Sequence, residues 1–193
     1  MNEPKPSRRS LLISSAAGVS ATWLASRWPG ILAAQEHAQL MAVSTQPATF
    51  GFFSPEQAAE IEAVAAQIIP TDDTPGAREA RVIHFIDRAL VTFERDEQHV
   101  YAQGLQELQA KTKEIFPSAG KFSGLQSAQQ IQVLTALEKT PFFNTVRNHT
   151  VIGFFASPVH GGNHNKAGWK LIGYDDSLNH KQPFGYYDAP SRG

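Results

Sequence analysis

Two histidines in a glycine-rich stretch near the C-terminus have the spacing that metal chemistry would favour. His160 and His164 lie four residues apart, with Asn163 and Asn165 beside them. A protein zinc site needs at least three side-chain ligands, and no Asp or Glu stands near these histidines at ligand spacing. We therefore favour hydrogen bonding within the loop, or contact with a partner, over a metal site.

Other candidates for acid–base chemistry have simpler explanations. Asp72 and Asp73 could form a pair of carboxylates, but acids beside Thr and Pro are typical of Asx turns. His84 and His149 fall on predicted helices near apolar faces, where histidine is commonly a core or boundary residue. The sequence has no G-x-S-x-G nucleophile elbow, no G-x-G-x-x-G fingerprint and no Walker loop. We assign no catalytic, cofactor-binding or metal-binding residue to this chain.

The composition excludes several classes of protein. The chain has 193 residues, a formal net charge of −1 and no cysteine. Without thiols there is no disulfide, no thiolate-bound iron–sulfur cluster and no C-x-x-C-H attachment of haem. A near-neutral charge also argues against nucleic-acid binding, which normally needs a basic face. Any thiolate-held redox centre must belong to another chain.

The N-terminus resembles an export signal. Arg8 and Arg9 form a twin-arginine pattern, and an uncharged stretch of small and apolar residues follows over 10–26. This stretch is too short and too diluted by Ser and Gly for a spanning helix. We predict a twin-arginine signal over residues 1–34, read by the twin-arginine translocase, which exports folded proteins. The expected location is the periplasm, at the inner membrane if the leader is retained; the cleavage site stays open.

After a linker over 35–53, the segment 54–156 carries the apolar periodicity of helices. Ser54, Pro55 and Gln57 form a capping box with proline at the first helical position, and Pro70 ends this first helix. Further helices are predicted over about 82–94, 96–116, from Ser127 to about 140, and 142–155. No strand-like alternation occurs. The expected fold is mainly α, a compact bundle of about five helices.

Three of these helices carry specific burial predictions. The last is apolar around so much of its circumference that it should be central. The second helix should bury Val82, Ile83, Ile86, Leu90 and Phe93. Its solvated side should hold Arg81, Asp87, Arg88 and Glu94. The fourth helix should bury Ile131, Leu134 and Leu137.

Residues 157–193 change character and carry no predicted regular element. Glycines alternate there with polar groups and with large amphipathic rings, which a short irregular segment cannot bury alone. The rings are Trp169, Tyr174, Phe184, Tyr186 and Tyr187. This composition favours a segment that docks on another protein.

Several motifs together resemble one family. They are Ile-Ile-Pro-Thr-Asp and Pro-Gly-Ala over 68–77, Phe-Ile-Asp over 85–87, Gly-Gly-Asn over 161–163, Gly-Trp at 168–169 and Ile-Gly-Tyr over 172–174. With the twin-arginine leader, they resemble subunit 3, the small or gamma subunit, of gluconate 2-dehydrogenase. The resemblance implies a large partner subunit that holds FAD and belongs to the glucose–methanol–choline oxidoreductases. It also implies a cytochrome c subunit with haem c, and sugars or sugar acids as substrates.

The resemblance implies a non-catalytic subunit without a cofactor of its own, which helps the flavin subunit mature and carries it across the membrane. As a hypothesis, the contact with that subunit is assigned to His160, Gly161, Gly162, Asn163, Gly168, Trp169, Tyr174, Tyr186 and Tyr187. Two alternatives remain open. The chain could be an independent periplasmic enzyme that uses the loop histidines, or its tail could shape the partner's substrate entrance.

Overall fold

The computed structural model describes residues 49–176. This part of the chain holds six α-helices and no strand: α1 (Pro55–Ile68), α2 (Val82–Val91), α3 (Gln98–Ile115), α4 (Ser127–Leu137), α5 (Pro141–Phe155) and α6 (Ala167–Ile172). The predicted mainly α fold is confirmed. The predicted leader with Arg8 and Arg9, and the tail residues Tyr186 and Tyr187, lie outside the described residues.

The first helix begins as its sequence predicts. The Ser54 hydroxyl accepts a hydrogen bond from the backbone N–H of Gln57, and the Gln57 side chain accepts one from the backbone N–H of Ser54. Both bonds satisfy donors that a helix start leaves unpaired. The helix ends at Ile68, two residues before Pro70.

The core is organised around α5, which packs against α1, α2, α3, α4 and α6. Its central position is therefore confirmed. The approach of α3 to α5 is close enough that Gly104 lies directly against the ring of Phe142. Within residues 49–176, no helix combines the length and the apolar character needed to cross a bilayer.

Two acidic residues, one in α2 and one in the turn after it, were wrongly predicted to face solvent. Asp87 is 7% exposed and Glu94 is 2% exposed. Asp87 lies four residues after Ile83, so it shares the helix face of that buried residue. Glu94 lies beyond the end of α2, in a turn where its backbone N–H donates to the carbonyl of Ala89 at 2.8 Å, and it is buried there.

The register of α4 also differs from the prediction. The helix begins at Ser127 as predicted, and its N-cap is Gln126, whose backbone N–H donates to the side chain of Gln129 at 3.0 Å. Leu134 and Leu137 are buried as expected, whereas Ile131 is 52% exposed. The inward-facing side of α4 carries Gln130, Val133, Leu134 and Leu137.

A buried carboxylate secures the connection between α3 and α4. Glu60 of α1 accepts hydrogen bonds from the backbone N–H groups of Phe122 and Ser123, each at 3.1 Å, and from the Ser123 hydroxyl. The short 3₁₀ turn Phe122–Gly124 is thereby fixed to α1. A carboxylate that accepts several backbone donors stabilises loop structure far from its own position in sequence.

We expect Gly104→Ala to lower the free energy of unfolding by about 1–2 kcal/mol, because the added methyl group overlaps Phe142 and forces α3 away from α5. Overpacking of this kind costs up to about 3 kcal/mol, against the gain of about 1 kcal/mol that alanine brings to a helix interior. Urea denaturation measures the change. Gly120→Ala is the control, because nothing lies within 4 Å of the position its Cβ would take. Equal stability of the two variants would contradict the close packing of α3 on α5.

Candidate functional site

The segment after α5 folds back onto the helical domain, contrary to the expectation of an irregular stretch. It contains two 3₁₀ turns, Pro158–His160 and His164–Lys166, followed by α6. The helix α6 ends at Gly173, whose φ of 72° lies in the left-handed region that glycine favours. Local periodicity could not predict a helix of six residues, because its stability comes from packing on α5 rather than from its own length.

Two of the predicted partner-contact glycines are buried against the chain's own backbone. A Cβ on Gly162 would overlap the carbonyl of Gly153, and a Cβ on Gly168 would overlap the carbonyl of Phe154. Both carbonyls belong to α5. These glycines therefore allow the C-terminal segment to approach the central helix more closely than any side chain would permit.

Asn163 joins the two ends of this segment. Its side chain is fully buried, its φ is 48°, and its amide nitrogen donates to the carbonyl of Ala156 at 2.9 Å. Its amide oxygen accepts from the backbone N–H of Gly168 at 2.8 Å. One side chain thus satisfies a backbone acceptor just after α5 and a backbone donor in α6. Asn163 braces the segment internally.

The aromatic residues of the segment are presented outward. The indole nitrogen of Trp169 donates to the carbonyl of Phe155 at 2.7 Å, so this half-buried ring is held in one orientation. Tyr174 lies edge-on against it, with 5.0 Å between the ring centroids, and is 55% exposed. Ile172 is 43% exposed. We call Trp169, Ile172 and Tyr174 the α6 surface.

The loop histidines are not brought together with acids. In the part of the chain that the structure describes, no group of three or more His, Cys, Asp or Glu side chains could hold a metal ion. His160 is half-buried, and the backbone N–H of His164 donates to the carbonyl of Ala80 at 3.0 Å. The bond at His164 is made by its backbone, and the buried Nδ1 of His160 has no hydrogen-bond partner within the described residues, so this ring nitrogen does not make the hydrogen bond expected within the loop.

The helix histidines differ in their surroundings. His149 is buried, and its Nδ1 shares a hydrogen bond of 2.9 Å with the hydroxyl of Tyr101, as expected for a core histidine. Burial raises the pKa of Tyr101 well above its ordinary value. His84 lies at the surface of α2, stacked on Phe50 with 5.2 Å between the ring centroids. Gly161 packs against the backbone of His84, so the C-terminal loop reaches this residue too.

The acidic loop between α1 and α2 is a structural turn. Asp72 accepts from the backbone N–H of Thr74 at 2.9 Å, which confirms the Asx turn, and Asp73 is exposed. Glu79 closes the loop by accepting from the hydroxyl of Thr71 and the backbone N–H of Gly76. The hydrogen bond from Thr71 is the main cause that lowers the pKa of Glu79.

The structure also contains a buried polar site that was not predicted from the sequence. The buried carboxylate of Asp87 accepts from the backbone N–H groups of Gly51 at 2.7 Å, Phe52 at 2.9 Å and Phe53 at 3.0 Å. The signal available in the sequence was the spacing from Ile83, which places this acid on the apolar face of α2. Its partners, three successive backbone groups, leave no trace in residue type.

These features define a small all-α domain whose C-terminal segment is braced on its own core and turns aromatic side chains outward. Residues 55–176 match the family model of gluconate 2-dehydrogenase subunit 3, and the chain belongs to this family. The resemblance drawn from the motifs is confirmed. Comparisons with curated proteins and with solved structures find no match.

We expect Asn163→Ala to destabilise the protein by about 2–4 kcal/mol, because a buried donor and a buried acceptor both lose their partner. Asn165→Ala is the matched control, since Asn165 has a similar φ of 55° but is exposed. Both variants carry the strain of alanine in the left-handed region, about 1 kcal/mol. The difference between their unfolding free energies cancels the shared backbone strain and leaves the loss of the buried amide group with its two hydrogen bonds, and a difference near zero would contradict the bracing role of Asn163.

We also expect stability to fall as the pH drops below about 6.5. Burial is the main cause that lowers the pKa of His84 and of His160 below 6.5, assisted by Arg81 for His84 and by Arg88 for His160. The unfolded chain then binds more protons than the folded chain, so stability is fully present above 6.5 and declines as the pH falls toward the folded pKa values. Denaturation at pH 5–7 measures this slope. The double variant His84→Asn, His160→Gln should flatten it, and an unchanged slope would exclude these histidines as its source.

Proposed function

We propose that this chain is the small, or gamma, subunit of a periplasmic FAD-dependent dehydrogenase complex that oxidises sugars or sugar acids. In this role it is needed for export, maturation and stability of the flavin subunit. Membership of the gluconate 2-dehydrogenase subunit 3 family is the observation that carries the proposal. The twin-arginine pattern at Arg8 and Arg9 supports the export role, because it supplies an address in the same polypeptide.

In this proposal the α6 surface contacts the flavin subunit. Its rings are large and amphipathic, which is typical of residues that dominate binding energy at interfaces. They are also preorganised, because the hydrogen bond from Trp169 to α5 and the bracing by Asn163 fix them before binding. Less conformational freedom is then lost on association, so more of the contact energy appears as affinity.

The structure divides the proposed contact residues into two groups. Trp169 and Tyr174 have exposed ring surface and would touch the partner, as would the half-buried His160 and Gly161. The remaining described residues are buried and would act by positioning the others. They are Gly162, Asn163 and Gly168. Tyr186 and Tyr187 stay in the proposal as further contacts.

Binding to the folded flavin subunit would stabilise it by mass action. A partner present at 100 times its dissociation constant stabilises the state it binds by about 2.7 kcal/mol. In the proposal FAD belongs to the flavin subunit and haem c to a cytochrome c subunit, while this chain holds no cofactor. The pair would be exported folded by the twin-arginine translocase. It would remain in the periplasm, held at the inner membrane through the complex or through an uncleaved leader.

The proposal predicts that the flavin subunit depends on this chain. We expect co-expression to raise the amount of periplasmic, FAD-loaded flavin subunit, and we expect Tyr174→Ala to weaken binding by about 30-fold, which corresponds to about 2 kcal/mol. Flavin absorbance of the periplasmic fraction and calorimetric titration measure the two effects.

Ile131→Ala is the control for the interface. Ile131 has an exposed fraction of 52%, close to that of Tyr174, but it lies on α4 rather than on the C-terminal segment. Equal yields of exported flavin enzyme with and without the chain would refute the proposed function. Equal loss of binding in both variants would refute the assignment of the α6 surface.

A further inference from the structure

The helix α2 holds segments that come from both ends of the described chain. On one side, the carboxylate of Asp87 binds the backbone of residues 51–53. On the other side, the guanidinium of Arg88 donates to the carbonyl of Val159 at 2.9 Å. Neighbouring residues of one helix thus secure the start of the domain and its C-terminal loop.

The two segments also meet at His84. The ring of Phe50 stacks on this imidazole with an interplanar angle of 15°. A Cβ on Gly161 would lie 3.2 Å from the carbonyl oxygen of His84 and 3.5 Å from its Cβ. The entry segment and the loop 158–161 are therefore close neighbours on the surface of α2.

The hydrogen bonds from residues 51–53 to Asp87 are not needed to cap the start of α1. Ser54 and Gln57 already cap that helix. Three further backbone groups nevertheless converge on one carboxylate that is 7% exposed, and such charge-assisted hydrogen bonds are about twice as strong as neutral ones. This arrangement fixes the position of residue 50, and with it the place where the linker over 35–53 meets the domain.

We propose that Asp87 is a positioning residue that clamps the junction between the linker and α1, residues 50–53, beside the loop 158–161, so that this junction and the contact with the flavin subunit share one face of the domain. The inference rests on the proposed function for the identity of the partner. Its physical content is the shared anchor of residues 50–53 and 158–161 on α2. The flavin subunit would then cover the junction at Thr49 and Phe50 as well as the loop at Val159.

Hydrogen exchange on the full chain tests the clamp without any partner. Asp87→Asn keeps the size of the side chain but replaces one acceptor oxygen by a donor group, and we expect the amides of residues 51–53 to exchange at least tenfold faster. Glu60→Gln is the matched control, because Glu60 is also buried and binds backbone N–H groups, those of Phe122 and Ser123. It should accelerate exchange only at the Phe122–Gly124 turn. Unchanged protection of residues 51–53 in Asp87→Asn would overturn the clamp.

The natural chain keeps the clamp falsifiable if Asp87→Asn does not fold. The amides of Gly51, Phe52 and Phe53 lie before α1, and their hydrogen-bond acceptor is the carboxylate of Asp87. We therefore expect these amides to exchange at least tenfold more slowly than a solvent-exposed amide without an acceptor. Exchange at the rate of such an amide would overturn the clamp.

Thiol labelling of the complex tests the shared face. The natural chain has no cysteine, so Thr49→Cys, Val159→Cys and Ile131→Cys each introduce a single reactive group at an exposed position. With the flavin subunit bound, we expect maleimide labelling to slow at least tenfold at positions 49 and 159 and to stay unchanged at 131. Adding Asp87→Asn should restore labelling at 49 and leave protection at 159, an effect that general destabilisation would not produce.

The outcomes separate the inference from the proposed function. Protection at position 159 with full labelling at 49 would overturn the shared face while supporting the docking role of the loop. If no complex forms, both the shared face and the proposed function are refuted. The exchange measurement still decides whether Asp87 clamps the junction.

Discussion

The rest of the structure depends on how closely other segments approach the backbone of α5. This helix is contacted by five others, and the C-terminal segment lies directly on its carbonyl groups at Gly153 and Phe154. Close-packed interiors tolerate little change in volume. The positions facing α5 are therefore restricted in size, which explains Gly104 within α3, Gly162 in the loop before α6 and Gly168 within α6. The position and orientation of α6 follow from this packing rather than from any property of its own six residues.

Three buried polar side chains complete what apolar packing cannot. Glu60, Asp87 and Asn163 each bind backbone groups that have no partner within an α-helix, either in a connection or in the first turn of α6. An unpaired buried group of this kind costs about 1–3 kcal/mol. Each of the three side chains removes that cost at one connection. As a result, the turn after α3, the entry to α1 and the loop before α6 are all fixed to the helical core.

The sequence predicted the helices well and the connections poorly, and the difference has a physical origin. Caps and apolar periodicity are local, so the capped start of α1 and the centrality of α5 could be derived from neighbouring residues. The environment of Asp87 depends on a segment that lies 34 or more residues away in the sequence. The environment of Asn163 depends on the fold of the whole loop between α5 and α6. Residue type alone suggested solvent for the first and a partner for the second, and in both cases the structure supplies a backbone group of the same chain.

The same reasoning changes how the Gly-Gly-Asn and Gly-Trp motifs should be understood. Their smallest and most polar members, Gly162, Asn163 and Gly168, are accounted for by contacts within the chain. A motif can therefore identify a family through an internal packing arrangement, while the surface that serves a partner consists of the larger residues beside it. Trp169 belongs to both, since its indole nitrogen binds α5 and part of its ring remains exposed. The internal bond fixes the ring, and a fixed aromatic ring is a better anchor for a partner than a mobile one, because less entropy is lost when it is covered.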